Sequence, residues 1–394
     1  MTNTQYRYLI YGTLVLTLVV IALGAFTRLT EAGLGCPDWP GCYGTLTVPN
    51  SQADFARAEQ LFPDSPVEID KAWNEMIHRY IAGTLGLLVL AINIGSWQQV
   101  SRPKKLPLLL LAVVCFQAAL GMWTVTMNLM PVVVMGHLLG GFTTASLLLL
   151  LSLRVHRQAK QIHAFMKMKP SLSAESAEAI FDDNAKPLSS ASSASLSRSS
   201  SSVAPPLSKG LLGLVVVALV VVIGQIMLGG WTAANYAAVV CTQLPVCEVD
   251  WLANYDVSAF APIQAVHDSY QYGVLDYSQR VTIHVTHRLG AVVVVAVLAV
   301  LIWQLLSRRA YQGYGWLITG VLMLQILLGL TNVVAHLPLG IAVAHNLVGA
   351  LLLLSLVATS YRLVSDYQQQ MLSLAQMDSK EEAWQAKEQQ HGEI

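Results

Sequence analysis

Four of the ten histidines recur in matched settings: His78 and His137 in the first half of the chain, His287 and His345 in the second. Each stands near the start of an apolar run, where an ionisable side chain is costly to bury and marks function by default. Imidazoles at similar depth on neighbouring helices can ligate a metal between them. A zinc site would want three or four close ligands, and a copper site thiolates or thioethers. Two imidazoles per half, set among Gly83, Gly86, Gly136, Gly140, Gly141, Gly290 and Gly349, instead suit the axial positions of a flat macrocycle such as haem. The first pair has a neighbour that the second lacks. Glu75 precedes His78 in NEMIHR, where HVTHR puts His284 before His287. At i and i+3 on a helix the two side chains share a face, about 5–6 Å apart at Cβ. A carboxylate there could accept a proton or stabilise developing positive charge, or simply compensate the helix dipole.

The elements that must position these residues are membrane helices. Hydrophobic residues make up 54% of the 394 and charged residues only 12%, about half the charge of an average soluble chain. The apolar residues fall into blocks of about 20, the length that crosses a bilayer. They lie at 8–27, 77–97, 106–126, 132–153, 210–231, 281–304, 314–334 and 339–361, and no cleavage site follows the first of them. A β-barrel would show short alternating segments instead. With eight spans both termini share one side. Only Arg28, Arg57, Lys71, Arg79, Arg280 and Arg288, of 23 basic residues, fall on the other. The positive-inside rule therefore predicts cytoplasmic termini, with loops 28–76 and 232–280 facing outward. The net charge of zero and this distribution give no reason to expect a nucleic-acid partner; lipid surrounds the chain.

The chain is also duplicated. HRYIAG at 78 matches HRLGA at 287, MGHLLGG matches AHNLVGA with His137 over His345, and CPDWPGC matches CTQLPVC. The offsets are 209, 208 and 205 residues. Four spans per half give both copies one orientation, so the expected architecture is an all-α polytopic membrane protein of two pseudo-twofold-related four-helix bundles. The domains predicted are a first bundle at 1–165, a Ser-rich cytoplasmic linker at 166–209 too poor in apolar residues to fold, a second bundle at 210–365 and a polar cytoplasmic tail at 366–394.

The phrases GAFTRLTEAGLGCPDWPGCYG, NEMIHRYIAG, MGHLLGG, HVTHRLGA and AHNLVGA together resemble the haem A synthase family, over all eight spans and both outer loops. The resemblance implies that His287 and His345 ligate a resident haem b, and that His78 and His137 flank a substrate, haem O. It implies oxidation of one porphyrin methyl to a formyl group in two steps, through an alcohol and a hydrated aldehyde that loses water, to give haem A. Glu75 is then the catalytic acid–base candidate. The implied setting is a bacterial inner membrane, with haem O synthase, cytochrome oxidase assembly factors and an electron donor or acceptor as partners.

Arg79 and Arg288 follow their histidines and Arg28 ends the first span, so each is a candidate to pair with a haem propionate, or to reach the membrane interface. Cys36 with Cys42 and Cys241 with Cys247 form C-x5-C in the outward loops, where close thiols oxidise; a disulfide in each is expected, rather than a zinc site of four converging thiolates. Cys115, alone in the third span, is expected in the core. Two competing readings are a diheme membrane protein that only relays electrons, and a transporter built on repeats. The relay has no use for Glu75, and no span is broken at mid-membrane as transporter sites often are.

Overall fold

A computed structural model of the chain describes residues 1–178 and 209–391. The described residues are helical with irregular loops: α1 (Asn3–Leu29), α2 (Gln52–Leu61), α3 (Ile69–Trp97), α4 (Lys105–Thr126), α5 (Pro131–Glu178), α6 (Lys209–Ala234), α7 (Tyr277–Leu306), α8 (Gln312–Val334) and α9 (Leu339–His391). All except α2 are long and apolar enough to cross a membrane, and the eight coincide with the eight apolar blocks. Residues 166–178, expected in the linker, continue α5 as helix, and much of the polar tail continues α9. The Ser-rich stretch at 179–208 lies outside the described residues.

The helices begin and end on local chemistry. Thr2 caps α1 by accepting the Gln5 amide while Gln5 Oε1 accepts the Thr2 amide; Ser51 and Asp54 do the same for α2. Inside the spans, hydroxyls that would be stranded in hydrocarbon donate to the carbonyl one turn back, as at Thr13, Thr17, Thr144 and Thr359. The first, third, fifth and seventh spans share one ending. In α1, Ala32 N donates to Thr27 O, and in α6 Ala237 N donates to Thr232 O. In α4, Leu129 N donates to Thr124 O, and in α8 Leu337 N donates to Asn332 O. This six-residue closure needs a left-handed residue, usually glycine. Here the residues that take it are Glu31 (φ 57°), Asn128 (φ 50°), Tyr236 (φ 53°) and His336 (φ 53°), with Leu129 (φ 63°) and Leu337 (φ 60°) left-handed as well after the second and fourth. They recur at offsets of 205 and 208 residues, so the duplication extends to the backbone.

Two compact units emerge. Met1–Ser152 together with Gly210–Arg362 make up the first, which holds both copies of the repeat and both outer loops. Leu153–Lys209 together with Leu363–Ile394 make up the second. Within the first, α1 packs on α3, α3 on α4 and α7 on α8. Arg102 ties the end of α3 to the N-terminus, donating to Gly95 O at 2.6 Å and Met1 O at 2.9 Å.

Candidate functional site

The site is built four times from one device, a histidine pressed into a glycine notch. His78 on α3, His137 on α5, His287 on α7 and His345 on α9 each turn their ring against the preceding transmembrane helix. A Cβ placed on Gly24 of α1 would lie 3.1 Å from Cε1 of His78. The corresponding distances are 3.3 Å from Gly121 (α4) to His137, 3.1 Å from Gly229 (α6) to His287 and 3.1 Å from Gly329 (α8) to His345. Any side chain at these positions would push the ring. The glycines singled out in the sequence act differently: Gly83, Gly86 and Gly141 line the cavity without meeting a histidine, Gly136 lies against Leu120, and Gly140, Gly290 and Gly349 sit under glutamines.

All four histidines line one cavity of about 2120 Å³, largely apolar, that takes in both halves of the first unit. A site for one small ligand is typically about 300–1,000 Å³, so the volume suits two large flat ligands. Nδ1 of His78, His137 and His345 is buried without a hydrogen-bond partner, an arrangement that native proteins keep for function. Two pairs of imidazoles facing a large apolar cavity fit a haem in each half.

Beside the first pair, Glu75 is only 5% exposed. Its Oε1 accepts from Arg79 at 2.5 Å and its Oε2 from the Cys36 amide at 2.8 Å. Arg79 also donates to the carbonyls of Asp38 (2.9 Å) and Gly41 (2.5 Å). The second half repeats this plan with an imidazole for the carboxylate. Arg288 donates from Nε to His284 Nε2 at 3.2 Å, to Cys241 O at 2.6 Å and Gln243 O at 2.7 Å, and to Val246 O. The candidate propionate partners thus have other partners. Arg79 and Arg288 strap the outer loops to their helices. Arg28 donates to Tyr236 Oη at 2.5 Å and to the carbonyls of Ala233 and Ala234, with its guanidinium 4.2 Å from the Tyr236 ring centre. All three line the cavity.

The straps hold disulfides. Cys36–Cys42 and Cys241–Cys247 are each bonded within their own loop, with Cα atoms 4.8 and 4.9 Å apart, as expected. The first packs with Tyr43, Val48, Ala72 and Met76, and burial there raises the Tyr43 hydroxyl above its ordinary pKa. Glu248, beside the second, accepts from its own amide and from those of Gln243 and Thr242, which hold its carboxyl below the usual range. Cys115 departs from expectation: it is exposed on α4 and lines the cavity.

Sequence reasoning missed three glutamines. Gln117 Nε2 donates to His137 O at 2.8 Å, and Gln225 Nε2 donates to His287 O at 2.9 Å and lies 3.1 Å from its Nδ1. Gln325 Nε2 lies 3.3 Å from His345 Nε2. The available signal was Q-x-x-x-G, each glutamine four residues before a notch glycine.

Fold and site define a multi-pass membrane protein built around paired histidines in a shared apolar cavity. Comparison with known proteins narrows this. The chain belongs to the COX15–CtaA family, described as cytochrome oxidase assembly protein, whose profile matches residues 7–180 and 188–357. It is 48% identical to the heme A synthase of Shewanella oneidensis, over 91% of this chain and 96% of that one. It is 23% identical to the heme A synthase of Sphingopyxis alaskensis over 90% of each chain, and 22% identical to that of Halalkalibacterium halodurans over 88% and 94%.

Proposed function

We propose that the protein is a haem A synthase, an oxidoreductase that converts a methyl group of haem O to the formyl group of haem A. His78 and His137 flank the substrate, and His287 and His345 hold a resident haem b. One observation carries the division of labour: among the described residues only the first half brings carboxylates to the cavity wall, Glu75 one turn from His78 and Glu31 past the end of α1. The termini lie in the cytoplasm and both disulfide loops face outward across a bacterial inner membrane, a reading supported by the distribution of basic residues.

Haem b, when bound, supplies redox-active iron. The chain's own contribution is position and proton handling. The glycine notches set the depth of each imidazole, and the largely apolar cavity wall suits a flat macrocycle. Glu75, held from two sides by Arg79 and the Cys36 amide, accepts a proton or stabilises positive charge as that carbon loses electrons. Arg79 and Arg288 both donate to loop carbonyls, so in this reading the arginines keep Glu75 and His284 in register with the loops.

Glu75→Gln should retain both haems while formyl product falls by about 10²–10⁴-fold, the usual worth of a positioned acid–base group. Undiminished haem A in cells carrying that variant would exclude the assigned role. Extraction and chromatography of the pigment from the purified protein separates this reading from an electron relay. A synthase yields haem b together with haem O or haem A; a relay yields haem b alone.

A further inference from the structure

The four histidine settings differ in one further respect. Gln117, Gln225 and Gln325 each stand one turn before a notch glycine and reach the histidine set into it. Each amide also rests over a glycine one turn beyond that histidine. A Cβ on Gly140 would fall on Gln117 Oε1, one on Gly290 would fall on Gln225 Oε1, and one on Gly349 would lie 3.4 Å from Gln325 Nε2. The setting of His78 keeps its notch glycine, Gly24, but has neither other part. Val20 stands where the glutamine would be, and Ile81 and Ala82 where the clearing glycine would be. Amide and clearance are thus present together three times and absent together once.

An amide tying one helix to the histidine of the next acts in a medium without competing water, where such bonds fix geometry. Gln225 and Gln325 reach the imidazole itself and Gln117 the main-chain carbonyl of its histidine, so each ties a candidate ligand, or the backbone that carries it, to the neighbouring helix, and such supports govern how firmly a metal group is held. We propose that Gln117, Gln225 and Gln325 are positioning residues that latch His137, His287 and His345, and that unlatched His78 is the releasable ligand through which the substrate haem is exchanged. The second half is latched on both faces and retains its haem. The first is latched on one face, so a haem there can swing free of His78 while His137 keeps its place. This inference rests on the assignment of the first pair to the exchanging haem.

Haem transfer tests it. The detergent-solubilised full chain, carrying its haems, is mixed with excess apomyoglobin as acceptor, and the transferred pigment is identified by chromatography. The wild type should release haem O or haem A in a fast phase and haem b in a slow one. Installing the latch, Val20→Gln with Ile81→Gly, should slow the fast phase by about ten-fold or more. Should that variant fail to fold, the converse change in the second half, Gln225→Val with Gly290→Ile, decides; it should speed haem b release by about as much. Gln225→Leu should in addition broaden the low-spin ferric resonance of haem b as imidazole orientation spreads, whereas lost packing alone would remove the signal together with the haem. Unchanged release in both exchanges, or equal release rates for the two haems of the wild type, would overturn the latch. A wild-type chain that binds no haem would overturn the proposed function instead.

Discussion

At the scale of single residues, the molecule distinguishes two sites with very few changes. Glu75 and His284 occupy equivalent places, each bonded to the arginine four residues on, yet only the acid can both carry negative charge and accept a proton. The histidines and Glu75 were legible in the sequence because polar groups inside apolar runs are conspicuous. The glycines that seat the rings were not, since glycine serves close helix packing throughout membrane proteins. Their role gives a sharp expectation. Gly24→Ala would put a methyl 3.1 Å from His78 Cε1, closer than ordinary contact, and should weaken haem binding at the first pair by about ten-fold. Gly213→Ala on α6, which faces open space, should change nothing. Haem titration monitored by absorbance compares the two, and equal effects would remove the notch from the argument.

At the scale of elements, each outer loop is clamped twice, by a disulfide within it and by an arginine beneath it. The disulfides were readable from C-x5-C and the side of the membrane. The arginine straps were not, because a guanidinium next to a candidate metal-ligating histidine suggests an anionic ligand before it suggests loop carbonyls. The strap is the stronger clamp. Arg79 and Glu75 form an ion pair with side chains 12% and 6% exposed. Removing one partner of such a pair typically costs about 3–5 kcal/mol, through the charge left behind. The Cys36–Cys42 bond closes a short loop, for which about 2 kcal/mol is reasonable. Arg79→Leu should therefore lower the temperature at which the first half loses its haem by more than replacement of Cys36 and Cys42 by Ala. The opposite order, measured by thermal melts of the haem absorbance, would make the disulfide the principal restraint.

At the scale of the whole molecule, the duplication was visible in three matched phrases and reappears in the helix endings. What joins the copies was hidden. Arg28 reaches Tyr236, Tyr270 N donates to Asn128 O, Asn128 Nδ2 donates to Asp268 O, and Gln271 Nε2 donates to Glu31 O. These residues lie in polar loops and helix ends, where no hydrophobic period records which partner a side chain will meet. Hydrogen bonds from a charged group are each worth about 1.5–3 kcal/mol. Arg28→Ala should accordingly loosen the coupling between halves without touching either histidine pair. In the wild type the two haem signals should melt together, and in the variant they should melt at separate temperatures. A single shared transition in the variant would show that the remaining contacts suffice.

The Arg28–Tyr236 contact has a consequence for symmetry. Where two identical copies meet about a twofold axis, every unlike contact must occur twice. Here it occurs once, because the residues 205 positions from Arg28 and Tyr236 are Ala233 and Glu31. The same alignment sets Arg28 against Glu31 at both crossings if two first halves meet, and Ala233 against Tyr236 if two second halves do. Only the mixed pairing gives one guanidinium stacked on one phenol. The seam therefore has a direction, and the halves are no more interchangeable where they join than where they bind.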